Sequence, residues 1–314
     1  MEFIQLKEVG KSFKKLSILN DVNLTIQEED IFGIIGQSGS GKTTLLNLIA
    51  GFIEPSEGEI FYYSKIDHLP KNLNKNFNKI KKHIGYTPQH TSFYPKLTVQ
   101  ENLMHFGRLY GLTKATILAN AESLLEFTEL SHHKDKLAEH LSGGMQKRLD
   151  LSCSLIHKPK LLLLDEPTSD LDPVTQEEII RLIQEVNRQG ITVVIASHHL
   201  DSLEKICSKL MILHNGTVKS YGDIEEVRKP FQRENFAINL KTGKEKQKIM
   251  DLLKDLPVSK IVEQEHQIIV YPQDIEKVLP LVLKVVKQEN LYLHDIDLRK
   301  TSLSEVFAQL TKEN

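Results

Sequence analysis

The sequence predicts an α/β protein, with a mainly parallel sheet covered by helices and a smaller α+β domain after it. Three observations carry this. Short apolar runs alternate with longer helical patterns from the start of the chain to about residue 220, the spacing of strand–helix–strand units that build parallel sheets. The run Leu161–Leu164 is apolar at every position, as a strand buried on both faces should be. The texture then changes near residue 229, at RKPFQREN, where a tail of short strands and helices begins.

Taken in order, the candidate core strands are Asp30–Ile35, Leu161–Leu164, Thr192–Ser197 and Leu210–Leu213. Each of the last three follows a helical segment, which makes them parallel neighbours. Between roughly 95 and 157 the pattern is helical only, as in TVQENLMHFGRLYGL and ATILANAESLLEF, and reads as a helical subdomain inserted into the core. The basic, Asn-rich segment Lys65–Lys82 is expected to be a solvated surface loop rather than a patch for an anionic surface. The tail reads strand (Asn235–Leu240), helix (Lys244–Lys254), strand (Val258–Val262), strand (Gln267–Tyr271), helix (Asp274–Gln288) and strand (Leu291–Asp297). A last helix begins at Ser302. That order is the split βαβ, or ferredoxin-like, unit. The domains are therefore 1–228, with the helical subdomain at about 95–157, and an accessory βαββαβ domain at 229–314.

Composition bounds the function. At 314 residues, 40% hydrophobic and 26% charged, the chain is an ordinary globular one with room for a large domain and a small one. A net charge of −2 gives no argument for a nucleic-acid partner. Cys153 and Cys207 stand far apart and suggest a reducing compartment. No apolar run approaches the roughly 18–20 residues of a membrane span, and MEFIQLKEVGKSFKK lacks the apolar core of a signal peptide. The expectation is a cytoplasmic chain; any membrane process it serves needs spans from another polypeptide.

The stretch GQSGSGKTT, Gly36–Thr44, lies between a strand and a helix and fits G-x-x-x-x-G-K-[ST]. Its glycines, Gly36, Gly39 and Gly41, let the loop that includes Ser38 and Ser40 curl. Successive N–H groups from Gly39 to Thr43 then point at phosphate oxygens, and the helix start adds its positive end. Lys42 is expected to reach the β/γ-phosphates, Thr43 to ligate Mg²⁺, and Thr44 to bond the α-phosphate. A turn that merely caps a helix accounts for the glycines but not for the lysine at that spacing. Asp165, ending the buried strand, would hold Mg²⁺ through water. Glu166 beside it can orient and polarise an attacking water. Together these specify an enzyme that hydrolyses a nucleoside triphosphate, without saying which kind.

LSGGM, Leu141–Met145, decides the kind. Ser142, Gly143 and Gly144 precede the amphipathic run QKRLDLSCSLI and form the first turn of a helix, a second anion site. The motif resembles the signature of ATP-binding-cassette (ABC) ATPases, about 20 residues before the DE strand as in that family. The resemblance covers about residues 1–222 and implies the family fold: a parallel core with an antiparallel β subdomain and the inserted helical subdomain. It makes Gln89 in IGYTPQ the Q-loop glutamine, a contact to Mg²⁺ and the catalytic water. It makes Ser169–Asp172 (SDLD) the D-loop, His198 in IASHH the switch histidine, and Phe13 in VGKSF the ring that stacks on adenine. His198, after a strand, can donate to the γ-phosphate; His199 is the lesser choice. Met145 stands where many cassettes have glutamine, Asp170 where glycine is common, and Ser64 at a site that is often glycine.

The resemblance also implies cofactors and partners. ATP and Mg²⁺ are the ligands. The signature of one subunit closes over ATP held by the other, so a second copy of the chain is expected in a head-to-tail dimer; a two-fold interface builds both sites from one surface. FYPKLTVQENLMHFGRLYGL resembles the Q-loop region of ABC-2-type exporters, and DLRKTSLSEVFAQLT the end of the C-terminal domain on daunorubicin-resistance-like ATPases. An integral membrane permease of ABC-2 type is then the partner, and the chain sits on the cytoplasmic face of the membrane through it. Two rivals are a soluble ABC ATPase of translation or repair, and a P-loop kinase. The first usually carries two cassettes, coiled coils or zinc modules, and the second has no use for LSGGM with a D-loop.

Overall fold

The computed structural model describes residues 1–63, 69–228, 236–242, 246–254, 256–264, 267–289 and 291–300. The chain divides into two compact units, Met1–Ile224 and Glu225–Asn314.

The first unit opens with β1 (Glu2–Phe13), β2 (Leu16–Gln27) and β3 (Ile31–Ile35), then α1 (Lys42–Ala50), β4 (Glu57–Tyr63) and β5 (Pro70–Asn72). It continues through α2 (Leu73–Ile80), β6 (Ile84–Thr87), α3 (Val99–Leu109), α4 (Lys114–Phe127) and α5 (Gly143–Leu155). The closing elements are β7 (Leu161–Asp165), α6 (Pro173–Arg188), β8 (Thr192–Ser197), α7 (Leu200–Ile206), β9 (Lys209–His214) and β10 (Thr217–Asp223). The main sheet has the order β10-β9-β3-β8-β7-β6, parallel except for the antiparallel edge strand β10. β3, β7 and β8 are buried at every position, which is why their central residues read as apolar runs. A second, antiparallel sheet has the order β2-β1-β4-β5. Leu45, Leu46, Leu48 and Ile49 of α1 share one core with inward residues of both sheets, such as Ile4, Leu24, Ile60, Leu163 and Val194. The helix that follows the glycine loop is thereby clamped between two sheets.

Helices α3, α4 and α5 pack around a separate core of Leu103, Ile117, Leu125, Leu149 and Cys153. α3 starts on a full capping box, in which Thr98 and Glu101 satisfy each other's backbone N–H groups.

One expectation fails here. Residues 70–83 are not a solvated loop: they form β5, α2 and a 3-10 turn. Asn72 caps α2 by accepting from the Lys75 N–H, and Leu73, Phe77 and Ile80 pack on the main core. That apolar set is spaced i, i+4, i+7, one helical stripe, and the lysines between them obscured it. Residues 64–68, with Ser64, lie outside the described residues.

After β10 comes α8 (Ile224–Arg228), which starts at the last residue of the first unit; the second unit then holds β11 (Phe236–Thr242), α9 (Lys246–Leu253), β12 (Val258–Gln264), β13 (Gln267–Pro272), α10 (Ile275–Gln288) and β14 (Leu293–Lys300). The sheet order β12-β13-β11-β14 is antiparallel throughout, the βαββαβ arrangement. Ile238, Leu240, Ile268 and Val270 pack against Ile249, Leu253, Val278 and Val282 of the two helices. Val278 and Val282 lie one turn apart on α10, which Asp274 caps by accepting from the Glu276 and Lys277 N–H groups. The helix expected from Ser302 lies outside the described residues.

Candidate active site

The loop between β3 and α1 is built by close approach. A Cβ on Gly36 would stand 2.3 Å from Ser40 Oγ and 2.6 Å from the Leu213 carbonyl, and on Gly41 (φ 107°) 2.8 Å from Leu19. Only glycine fits at either place. α1 has Gly41 at its N-cap and no side-chain cap, unlike α3, α5 and α6. Its first N–H groups are left for an anion. Ser40 Oγ is buried without a partner; Ser38 and Thr43 are exposed and Thr44 half-buried.

Lys42 is buried and rests on the loop itself: its Nζ donates to the Gly36 carbonyl (2.9 Å) and the Gln37 carbonyl (3.2 Å), and lies 3.5 Å from Glu166 Oε1. Thr43 Oγ1 donates to Asp165 Oδ2 at 2.7 Å. Asp165 Oδ1 is buried with no partner. Burial raises the Asp165 pKa, and the neighbouring Glu166 charge adds to this against the Thr43 hydrogen bond. A hydroxyl and a carboxylate oxygen in need of a positive neighbour are hard donors of the kind Mg²⁺ takes beside phosphate, so these residues fit that ion.

Glu166 sits at φ 47°, a left-handed conformation that costs a non-glycine residue about 1–3 kcal/mol and collects at functional sites. Its N–H donates to the Ala196 carbonyl (2.8 Å). Its carboxylate accepts from Ser197 Oγ (3.0 Å), from the His198 N–H (3.1 Å) and from His198 Nδ1 (2.8 Å). Burial pushes the Glu166 pKa up, but the His198 hydrogen bond, the Lys42 charge and Ser197 together hold it below the usual range. His198 is half-exposed, so Nε2 remains available. His199 instead spends its N–H on Ser197 Oγ.

Hydrogen bonds and one ion pair thus join Thr43 to Asp165 and Lys42 to Glu166 and His198, and the chain neighbours 42/43 and 165/166 bring the two sets together at the C-terminal ends of β3, β7 and β8. Gln89 is exposed just after β6, and its carbonyl accepts from Lys147 Nζ (3.0 Å). Phe13 is 48% exposed at the end of β1, with Lys11 Nζ over its ring. Ser142, Gly143 and Gly144 form the start of α5, the first two exposed and Gly144 half-buried, with Ser142 capping the helix by accepting from the Met145 N–H. Among the described residues no recorded hydrogen bond joins 142–144 to 36–44. Asp170, where glycine is common, stands at φ 61°, a conformation that aspartate tolerates better than most residues.

Sequence reasoning missed Ser197 and Lys147. Ser197 was legible as the residue before His198 at the strand end. Lys147 was marked only by being a charge on the buried side of α5.

A test follows from the Glu166 environment. A folded-state pKa below the ordinary value keeps the carboxylate ionised until pH falls through that lowered pKa. The stability it contributes is lost over the same fall. His198→Ala removes the strongest hydrogen bond in that balance, so the acid limb of the kcat profile should move to higher pH. A limb that stays in place would mean that Glu166 is not the titrating base.

Comparison with known proteins adds the following. The family model described as "ABC transporter" matches residues 19–169, and "ATP-binding protein DrrA1-3-like, C-terminal domain" matches 222–311. An uncharacterized ABC transporter ATP-binding protein of Alkalihalophilus pseudofirmus is 31% identical over 88% of this chain and 97% of its own length. The linearmycin resistance ATP-binding protein of Bacillus subtilis is 33% identical over 70% of this chain and 68% of its own. A methionine import ATP-binding protein of Clostridioides difficile is 37% identical over 71% and 70%. Among solved structures, the dimeric post-hydrolysis state of the ATP-binding cassette MJ0796 bound to ADP and Pi is similar at a TM-score of 0.61. Its identity is 31%, over 70% of this chain and 98% of that one.

Proposed function

This chain belongs to the ABC transporter family as an ATP-binding, ATP-hydrolysing subunit, and from that premise we propose that it drives export through a separate membrane permease by ATP-dependent, head-to-tail pairing of two copies. One observation carries the pairing. The similar cassette MJ0796 is dimeric in its post-hydrolysis state bound to ADP and Pi. With the Ser142 turn exposed at the start of α5, a triphosphate held at Gly41–Thr43 would take its second grip from that turn on another copy.

The roles follow from the residues. The glycine loop and the α1 start hold the phosphates. Lys42 exchanges the Gly36 and Gln37 carbonyls for phosphate oxygens, which frees Glu166 of its ion pair. Thr43, Asp165 and Gln89 would hold Mg²⁺, which when bound supplies charge neutralisation on the phosphates. Glu166, held ionised, orients a water for attack on the γ-phosphorus and takes up its proton. The bond to the β–γ bridging oxygen breaks, and ADP and phosphate form. His198 keeps Glu166 in place through Nδ1 and presents Nε2 toward the γ-phosphate, while Phe13 stacks on adenine. Contacts made only to the triphosphate favour the closed pair, and hydrolysis removes that difference.

Export and an ABC-2-type permease are the readings favoured by the match over 222–311 and by the linearmycin resistance relative, while a methionine import ATP-binding protein is similar over a comparable share of the chain. No helix among the described residues is long and apolar enough to cross a membrane; on this reading a separate permease supplies the spans.

The test is cross-linking. Ser38→Cys and Ser142→Cys, placed on different copies of Glu166→Gln chains, should form an ATP-dependent covalent dimer; the two native cysteines are buried and add little background. No cross-link at saturating ATP overturns the pairing. Recovery from detergent-solubilised membranes with an integral membrane protein is expected. Full recovery in the soluble fraction would favour a soluble ABC-class ATPase instead.

A further inference from the structure

The helix that begins at Ser142 carries a polar stripe on a buried face. Lys147, Asp150 and Ser154 are spaced i, i+3, i+7, one side of a helix, and all three are buried, Asp150 completely. Each takes hold of the strand exit and loop around Gln89. Lys147 Nζ donates to the Gln89 carbonyl (3.0 Å). Asp150 Oδ1 accepts from the Ser92 N–H (2.9 Å) and from Ser92 Oγ (2.8 Å). Ser154 Oγ donates to the Tyr86 carbonyl (2.9 Å) and pairs with Thr87 Oγ1 (2.8 Å).

A buried ammonium is an expensive way to fill space. Burial lowers the Lys147 pKa, and Asp150, Asp170, Asp165 and Glu166 pull it back. A methionine would pack there without that cost. Among the described residues the lysine's one hydrogen bond goes to the backbone of Gln89, the residue expected to contact Mg²⁺. Its charge lies in the field of the carboxylates at the site.

We propose that Lys147, with Asp150 as a second anchor, is a positioning residue that lashes the Gln89 loop to the helix starting at Ser142, so that loop and helix start move as one body when ATP is bound. This rests on the two-copy reading above. Gln89 responds to the triphosphate of its own chain, whereas Ser142–Gly144 meet that of the partner copy. Without the tie, a chain that has bound ATP no longer carries its own signature turn toward the second site.

The test uses full-length chains carrying Glu166→Gln and two readings for each: affinity for a fluorescent ATP analogue at dilute, monomeric protein, and the ATP concentration that gives half-maximal dimer by light scattering. Adding Lys147→Met should leave monomer affinity within about twofold and raise the dimerisation midpoint about tenfold, the effect of losing one charge-assisted hydrogen bond. Lys147→Arg should recover most of it. Ser92→Ala, which removes one of two bonds to Asp150, should raise the midpoint about threefold; it carries the test if Lys147→Met does not fold. A midpoint unmoved in the folded variants, whatever their melting temperature, overturns the inference while leaving the two-copy reading intact. A Glu166→Gln parent that stays monomeric at saturating ATP overturns both.

Discussion

Lys42→Ala should lower ATP affinity by about a hundredfold, measured by calorimetric titration. The ammonium is the one side-chain cation within the glycine loop, and charge-assisted hydrogen bonds of this kind are each worth about 1.5–3 kcal/mol. The structure adds a second consequence. Lys42 is also the ion-pair partner of the buried Glu166, so its loss should raise the Glu166 pKa. Melting should fall by only a few degrees, because Ser197 and His198 still hold the carboxylate. Lys42→Arg should not rescue binding, since a planar guanidinium cannot replace a compact ammonium folded against the Gly36 and Gln37 carbonyls. Affinity unchanged in Lys42→Ala would show that the phosphates are held elsewhere.

Glu166→Gln should reduce kcat by about 10²–10⁴-fold, the usual share of a positioned general base, with KM for ATP nearly unchanged. The amide keeps the shape of the carboxylate but cannot take a proton. It also cannot accept from Ser197, the His198 N–H and His198 Nδ1 all at once. ATP then persists, and size-exclusion chromatography should show the variant accumulating as a dimer with ATP and as a monomer with ADP. A variant that turns over at the parent rate would remove Glu166 from the chemistry; one that is monomeric in both nucleotides would remove the second copy.

Much of this was legible because the chemistry is written in local spacing. G-x-x-x-x-G-K-T between strand and helix, LLLLDE at a buried strand end and LSGG at a helix start each occupy fewer than ten residues, and the local backbone they impose follows from residue type. The order βαββαβ in the tail was legible for the same reason: strand and helix periods differ, and each element spans several repeats. Residues 70–83 were misread because five lysines and four asparagines dominate the composition there. The three apolar positions that face the core become decisive only when the core is present.

Sequence alone determined the fold class and the family and made the glycine loop the candidate phosphate cradle, because each rests on neighbours in the chain whose geometry is fixed by backbone stereochemistry. It could not say what holds the reacting groups. Glu166 is held by residues 31 and 32 positions away, Thr43 reaches Asp165 across 122, and Lys147 finds Gln89 across 58. Those pairings exist only once parallel strand ends are brought side by side and α5 is laid along the exit of β6. A hydrogen bond acts over about 3 Å of space and is indifferent to separation along the chain, so tertiary structure alone decided which donor each carboxylate received.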